Sequence, residues 1–216
     1  MLCNLNNPTS ARITNGELRE LHDLAAEHDA YLLVDETFRE LAFSDPPPSV
    51  VSVGPRGIAM STVSKAYGLG MLKVGWIVAR PAVLDRVRGI RDYTTGNAPP
   101  LAQVFANWAV ERREFFVRRA RTILRRNRAL FREALDRMPA LHGEVPAVGN
   151  VLFPHSDVDV ARLERLLIRK YRTVIAHGRF FSARGLRDHF RLGLGGRTPE
   201  FRRGLANLRR ALNDLT

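Results

Sequence analysis

The chain has few of the residues that a disulfide framework or a metal centre would need. Its 216 residues include one cysteine, Cys3, which rules out an internal disulfide. The six histidines show neither the HxxxH nor the HExxH spacing that places two zinc ligands on adjacent helical turns. A single cysteine also suits a reducing compartment. The sequence therefore predicts no bound metal and a cytoplasmic location.

Long apolar runs are also missing. None approaches the roughly 18 residues that a membrane-spanning helix requires, and the N-terminus lacks the basic and then apolar pattern of an export signal. We therefore expect a soluble, unexported protein with no membrane partner. With 45% hydrophobic residues the chain can bury a core, but its length alone suits either one domain or a large fragment plus a small domain.

The net charge of +12 would suit a nucleic-acid ligand, because clustered arginines neutralise phosphates. Much of this charge lies between Arg112 and Arg137, where apolar residues recur at spacings of four and three. This stripe comprises Phe116, Ala120, Ile123, Leu130 and Ala134. The pattern predicts one long amphipathic helix with its arginines on the solvated face, so we expect no nucleic-acid partner.

Strand and helix patterns alternate along the first third of the chain. Thr14 and Glu17 form a candidate capping box before a helix. Extended apolar segments follow at 31–34, 57–63 and 74–79, as in an α/β domain. Ligands of such sheets gather beyond the carboxyl ends of the strands, where Asp35 and Lys65 stand. The two side chains should therefore face one crevice.

The rest of the chain is helical at first and then mixed. Residues 81–138 show helical periodicity. Short extended pieces at 151–153, 174–176 and 190–194 then alternate with helices near 163–168 and 201–215. This second pattern predicts a smaller α/β unit at the C-terminus.

Several short motifs stand in a fixed order. They are Asn7-Pro8-Thr9, Asp35-Glu36-Thr37-Phe38, Thr62-Val63-Ser64-Lys65, Gly68-Leu69, Lys73-Val74-Gly75 and Phe190-Arg191-Leu192. In this order and at these separations they resemble the fold-type I, class I/II aminotransferases. That family's pattern runs Asn-Pro-Thr-Gly, Asp-Glu-x-Tyr, Ser-x-Ser-Lys with a downstream Arg, and a C-terminal Arg. The resemblance covers nearly the whole chain.

The resemblance implies pyridoxal 5'-phosphate as cofactor and assigns a role to each motif. Lys65 would link to the cofactor aldehyde and later move a proton at the substrate's α-carbon. Asp35 would keep the pyridine nitrogen protonated, and Asn7 would hydrogen-bond the ring hydroxyl. Arg191 would grip the substrate α-carboxylate with its planar fork.

Four positions depart from the family pattern. Phe38 replaces a tyrosine that donates to the cofactor's ring oxygen, so one hydrogen bond that tunes the cofactor's pKa is absent. Lys73 replaces a phosphate-binding arginine, keeping the charge but losing the bidentate contact. Thr62 replaces a serine and still offers a hydroxyl to the phosphate. Ser10 stands where the family has glycine.

The resemblance also implies an incomplete fold. The family's N-terminal half has no counterpart before Asn7, which leaves a fragment, a mis-started reading frame, a shortened protein or a chain completed by a partner as alternatives. We expect aminotransferase fold type I, with part of the large-domain sheet and a small C-terminal α/β domain. Residues 1–112 would form the later part of the large domain, and 113–216 the connecting helix and small domain. An exposed sheet edge would favour a homodimer or association with the missing half.

The activity implied is transfer of an amino group between an amino acid and a 2-oxo acid, including in specialised amino-acid biosynthesis. A lyase, racemase or decarboxylase of the same fold would use the same lysine and aspartate, and Phe38 keeps these open. A non-catalytic remnant or partner subunit is the remaining alternative.

Overall fold

The computed structural model describes residues 1–43, 45–182 and 184–216. These divide into two compact units. Unit 1 comprises Met1–Asn7 and Ala11–Ala120, and unit 2 comprises Pro8–Ser10 and Arg121–Thr216. The division falls inside one helix, whereas the predicted domain boundary lies between 112 and 113; that domain assignment stays a prediction.

Unit 1 is an α/β layer. Its strands are β1 (Leu2–Cys3), β2 (Leu32–Asp35), β3 (Gly57–Thr62) and β4 (Gly75–Val78), and its helices are α1 (Asn15–Glu27), α2 (Pro81–Thr94), α3 (Pro100–Glu111) and the first part of α4 (Arg113–Leu135). The sheet order is β1-β2-β3-β4, with β1, β2 and β3 parallel and β4 antiparallel to β3. This arrangement confirms the predicted alternation of strands and helices.

The core of unit 1 packs α1 against the sheet. Leu18 of α1, Val34 of β2 and Val50 are almost fully buried in one apolar cluster. The predicted capping box starts α1: the Glu17 amide donates to the Thr14 hydroxyl (3.3 Å), and the Thr14 amide donates to the Glu17 carboxylate (2.7 Å). The predicted helix start is therefore confirmed.

β1 is a short strand that precedes the segments for which the sequence predicts extended structure. Leu2 pairs with Val34 and Cys3 with Asp35, in parallel with β2. Two residues are too few for an alternation pattern to show in the sequence. The strand matters because it adds a third carboxyl end to the same edge of the sheet.

Unit 2 is a smaller α/β unit, as the sequence predicts. Its strands are β5 (Leu141–His142), β6 (Val151–Leu152), β7 (His155–Ser156), β8 (Ala176–His177) and β9 (Phe190–Gly193), and its helices are the remainder of α4, α5 (Val160–Tyr171) and α6 (Thr198–Asn213). β6, β9 and β8 form an antiparallel sheet, and β5 pairs with β7. α5 and α6 pack together through buried leucines.

The unit 2 part of α4 shows a buried face that differs from the predicted stripe. Leu124 and Phe131 are buried, whereas Ile123 and Leu130 are only partly buried. Between them lies Asn127, fully buried, whose amide nitrogen donates to the carbonyls of Leu194 (2.7 Å) and Gly196 (2.8 Å). The stripe was misplaced because an asparagine occupies a core position.

Within the described ranges, no helix combines the length and the apolar character needed to cross a membrane.

Candidate active site

The candidate site of unit 1 lies at the edge where three parallel strands end. Cys3 of β1, Asp35 of β2 and Met60 of β3 are level with one another in the sheet. Because parallel strands present their carboxyl ends at one edge, the residues that follow them lie along that edge. Asn7 follows β1, Asp35 ends β2 and Lys65 follows β3.

Lys65 is exposed in a loop whose neighbours are anchored. Val63 and Ala66 on either side are buried. The Gly68 amide donates to the Lys65 carbonyl (3.1 Å), and the Leu69 amide donates to the Val63 carbonyl (3.0 Å). The loop therefore fixes the lysine backbone while its amine stays open to solvent.

Phe38 lies under the amine of that lysine. The Lys65 Nζ atom is 5.9 Å from the centroid of the Phe38 ring, within the range of a cation–π contact. The ring itself is buried, with 8% of its surface exposed. The structure thus brings together two of the residues that the sequence singled out.

Hydroxyl groups and a second ammonium gather beside the end of β3. The Thr62 hydroxyl donates to the Val74 carbonyl (2.7 Å), and the Thr62 and Ser64 oxygens are 2.9 Å apart. Thr62, the last residue of β3, pairs with Gly75, the first residue of β4. Lys73, two residues before β4, therefore lies near the end of β3. Lys73 is exposed and has a left-handed backbone (φ 54°).

Asp35 is held at the end of β2 by the backbone. The Thr37 amide donates to its Oδ1 atom (2.9 Å). Its negative charge also acts on the neighbouring strand: burial first, and then the Asp35 charge, raises the pKa of the Cys3 thiol to about 11. The charge of the Asp35 carboxylate therefore acts on a group of β1, at the edge where the parallel strands end.

Two side chains near this edge, those of Arg119 and Ser64, had no role assigned from the sequence. Gly68 has a left-handed backbone (φ +72°), and a Cβ atom placed there would lie 3.0 Å from the guanidinium of Arg119. The arginine pattern placed Arg119 on a solvated helix face, and nothing in its spacing indicates that it approaches the lysine loop. Ser64 belongs to the motif that ends at Lys65, and its hydroxyl forms a hydrogen bond with the hydroxyl of Thr62.

A cavity of about 590 Å³ opens beside Thr62. Its walls come from β3, β4 and α2 and are mostly apolar, with two arginines. The side chains include Met60, Trp76, Ile77, Leu84, Val87, Arg88 and Arg91. All four residues of β4 are exposed and none of the residues of α2 is buried, so this cavity borders an open apolar surface of unit 1.

Arg191 belongs to unit 2, where it lies on the central strand of the three-stranded sheet. It pairs with Ala176 of β8, and its neighbour Leu192 pairs with Leu152 of β6. Its guanidinium carbon is 5.0 Å from the centroid of the Phe181 ring. Its chain neighbours, Phe190 and Leu192, are apolar. The role of Arg191 in binding a carboxylate stays a prediction.

Ser10, the position where a glycine was expected, adopts a positive φ of 61°. That conformation explains why glycine suits the position. The serine is 3% exposed, and its hydroxyl donates to the Val151 carbonyl of β6 (2.9 Å). A buried hydrogen bond therefore offsets the backbone strain.

Groups of three or more metal-binding side chains are absent from the described part of the chain. The site instead offers an amine, a carboxylate, two hydroxyls and a second ammonium at one sheet edge. These are the groups that an aldehyde, a pyridine nitrogen and a phosphate would require, so the residues fit pyridoxal phosphate.

Comparison with known proteins shows similarity to one enzyme family. The family model described as aminotransferase class I and II matches residues 1–208. The chain is 34% identical to capreomycidine synthase of Streptomyces vinaceus over 207 residues, which are 93% of this chain and 52% of that protein. The chain thus spans about half the length of that curated relative.

Solved structures agree over the whole chain. A PLP-dependent aminotransferase from Streptococcus suis 89-1591 superposes with a TM-score of 0.92 at 30% identity, covering 100% of this chain and 57% of the other. The PLP-dependent cyclase OrfR superposes with a TM-score of 0.86 at 27% identity, covering 100% and 59%. The predicted aminotransferase fold type I is confirmed.

Proposed function

Because the chain belongs to the class I and II aminotransferase family, we propose that it moves an amino group between an amino acid and a 2-oxo acid. The observation that carries the proposal is that Asp35 ends β2 and that Lys65, which follows β3, lies over Phe38, three residues beyond Asp35. Pyridoxal phosphate, the cofactor of this family, supplies when bound an aldehyde that accepts the amino group and a ring that withdraws electrons.

Each residue at the edge has a defined task in this proposal. The Lys65 amine holds the cofactor and then moves a proton at the substrate's α-carbon. The Asp35 carboxylate, fixed by the Thr37 amide, keeps a proton on the pyridine nitrogen. The Thr62 hydroxyl and the Lys73 ammonium hold the phosphate, and Asn7 donates to the ring oxygen.

Phe38 contributes a ring but no hydroxyl. It contacts the Lys65 amine through its face and offers no hydrogen bond to the cofactor oxygen. Arg191, on β9, binds the carboxylate of the amino acid. Its paired N–H groups match the two oxygens of that carboxylate, which a lysine cannot reproduce.

The lysine assignment has a sharp test because the chain contains three lysines, Lys65, Lys73 and Lys170. Purified protein is mixed with pyridoxal phosphate, and the visible absorbance is recorded before and after reduction with borohydride. The peptide that carries the reduced cofactor is then identified by mass spectrometry. We expect the label on Lys65.

Three alanine variants complete this experiment. Lys65→Ala should abolish both the absorbance band and the label, whereas Lys73→Ala should weaken cofactor affinity and keep the label. Lys170 pairs with Asp214 in unit 2 (2.8 Å) and provides the matched control, which should behave as the wild type. A band that survives in Lys65→Ala would end the assignment.

We also propose a second candidate, a pyridoxal-phosphate-dependent cyclisation of an amino acid. It is supported by the similarity to capreomycidine synthase along 93% of the chain, by the likeness to a solved cyclase, and by the missing hydroxyl at Phe38. A transaminase needs a 2-oxo acid to turn over, whereas a cyclase does not. Product analysis with and without a 2-oxo acid separates the two, and the same analysis detects lyase, racemase or decarboxylase products.

Finally, we propose that the chain acts as a homodimer or together with a further polypeptide. Large apolar side chains are exposed on β4 and α3 of unit 1. They include Trp76, Ile77, Val78, Leu101, Val104, Phe105 and Trp108. Exposed apolar strands and helix faces favour association. Sedimentation velocity should show dimers or larger species, and a stable, monodisperse monomer would contradict this proposal.

A further inference from the structure

Unit 2 contains a row of ring contacts that begins at Arg191. The guanidinium carbon lies 5.0 Å from the centroid of Phe181. Phe181 meets Phe153 edge to face, with centroids 5.7 Å apart and an angle of 84°. Phe153 stacks on His189 at 5.1 Å and 29°, and His189 is 2.7 Å from the Asp188 carboxylate. Arg191 therefore lies over a ring that is itself held by a second ring.

The backbone fixes both ends of this row. Arg191 lies within β9, and Phe153 directly follows β6, which pairs with β9 through Leu152 and Leu192. The amide of Phe190 donates to the Pro154 carbonyl (3.0 Å) and ties the two segments together just beyond the ladder. The ring contacts therefore join side chains whose main chains are already in register.

We propose that Phe181 is a positioning residue for Arg191. Its ring supports the guanidinium so that the N–H groups face the carboxylate of the bound amino acid, and Phe153 keeps the ring in place. This inference rests on the proposed function, in which Arg191 binds that carboxylate. Phe181 does not touch the substrate; it acts through the arginine.

The chemistry favours a ring over a carboxylate in this supporting role. A carboxylate partner would hold the guanidinium more strongly, but it would accept the same in-plane N–H groups that the substrate needs. A ring attracts the cation through its face and accepts none of those in-plane hydrogen bonds. Phe181 is half-buried, so the contact is partly shielded from water.

The neighbouring residue provides a matched control within the same segment. Phe180 is 66% exposed, and its ring lies 5.0 Å from the guanidinium carbon of Arg179. Arg179 forms an ion pair with Glu164 (2.9 Å). Phe180 thus makes the same kind of contact with a different arginine, one that has no proposed role in substrate binding.

The test measures how strongly the protein prefers a carboxylate. Isothermal titration of the PLP-loaded protein gives the Kd for L-alanine and for L-alaninamide, which lacks the carboxylate. The Kd for L-alaninamide divided by the Kd for L-alanine is the ratio that reports the carboxylate contact. The variants are Phe181→Leu, Phe181→Tyr and Phe180→Leu. The side-chain Nε–Hε NMR signal of Arg191 in unliganded protein, identified from its absence in Arg191→Lys, reports the ring contact directly.

We expect Phe181→Leu to lower the ratio about 2- to 5-fold, the range of a partly exposed cation–π contact, and to shift the Arg191 signal. Phe181→Tyr and Phe180→Leu should keep the wild-type ratio. A wild-type ratio in Phe181→Leu, or an equal loss in Phe180→Leu, would overturn the inference, because leucine keeps apolar bulk without the ring face.

Arg191→Lys separates this inference from the function on which it rests. If it loses the carboxylate preference while Phe181→Leu keeps it, the positioning role is wrong and the proposed function stands. If Arg191→Lys itself keeps the wild-type ratio, the role of Arg191 in the proposed function is wrong, and the positioning role falls with it.

Discussion

The thiol of Cys3 offers a direct measure of the charge on Asp35. The two residues are paired across β1 and β2, and burial together with the Asp35 charge raises the pKa of the thiol from 9.0 to about 11. Replacing Asp35 with asparagine removes the second of these causes and leaves the first. We therefore expect Asp35→Asn to lower the thiol pKa by about one unit.

The assay uses the fact that Cys3 is the sole cysteine. Iodoacetamide reacts with the thiolate and not with the protonated thiol. The rate of alkylation, measured from the mass of the intact protein, therefore follows the thiolate fraction of Cys3. A fall of one unit in pKa raises the thiolate fraction at about pH 8 roughly tenfold. Labelling then becomes roughly three- to fourfold faster, because the less basic thiolate is a weaker nucleophile, and the midpoint of the rate-against-pH curve gives the pKa itself. Asp85→Asn, on the exposed helix α2, is the matched control and should change nothing.

The same assay extends to the cofactor. A protonated pyridine nitrogen beside Asp35 would offset the negative charge of its carboxylate. Saturating pyridoxal phosphate should therefore lower the pH midpoint of Cys3 alkylation in the wild type and leave the midpoint of Asp35→Asn nearly unchanged. Equal midpoints in wild type and Asp35→Asn would show that the carboxylate does not act on this edge of the sheet.

Three further predictions concern single side chains. Asn127→Ala should lower the free energy of unfolding by about 2–4 kcal/mol in urea denaturation, because it opens a cavity in the core and leaves the buried carbonyl of Leu194 and the partly buried carbonyl of Gly196 without their donor; a loss below 1 kcal/mol would contradict this. Phe38→Tyr adds a donor near the cofactor oxygen and should lower, by roughly one unit, the pH at which the visible absorbance of PLP-loaded protein changes; an unchanged midpoint would place the hydroxyl elsewhere. Hydrogen bonds from Lys170 and then Tyr171 lower the pKa of Asp214, so their contribution to stability is present above the ordinary aspartate pKa and is lost as the pH falls through the lowered value. The Tm should therefore fall more between about pH 5 and pH 3 in the wild type than in Asp214→Asn, and parallel curves would refute the contribution.

Much of unit 1 could be predicted from the sequence because its signals are local. The cap formed by Thr14 and Glu17 depends on residues three positions apart, and a strand buried on both faces is visible as a continuous apolar run. The order of the motifs also predicted which residues lie at the strand ends. Asp35 and Lys65 could be assigned to one edge because parallel strands share their carboxyl end.

The features that escaped prediction depend on contacts between distant residues. Asn127 is a polar residue at a core position of α4, and only its hydrogen bonds to the carbonyls of Leu194 and Gly196, which follow β9, explain its burial. The approach of Arg119 to Gly68 and the ring beneath Arg191 likewise require the folded chain. No periodicity in a single sequence encodes such pairs.

The serine at position 10 has a consequence for the order of folding. Its hydrogen bond joins residues separated by 141 positions in the chain, so the left-handed turn gains its compensating contact only after β6 has formed. Glycine would let the turn form early and at little conformational cost. With serine, we expect the turn to reach its native conformation late, after the segment around Val151 has folded. A contact between distant residues forms only after a long loop has closed, which costs chain entropy. A Ser10→Gly chain should then fold with this turn ordered sooner, although its final state lacks one buried hydrogen bond.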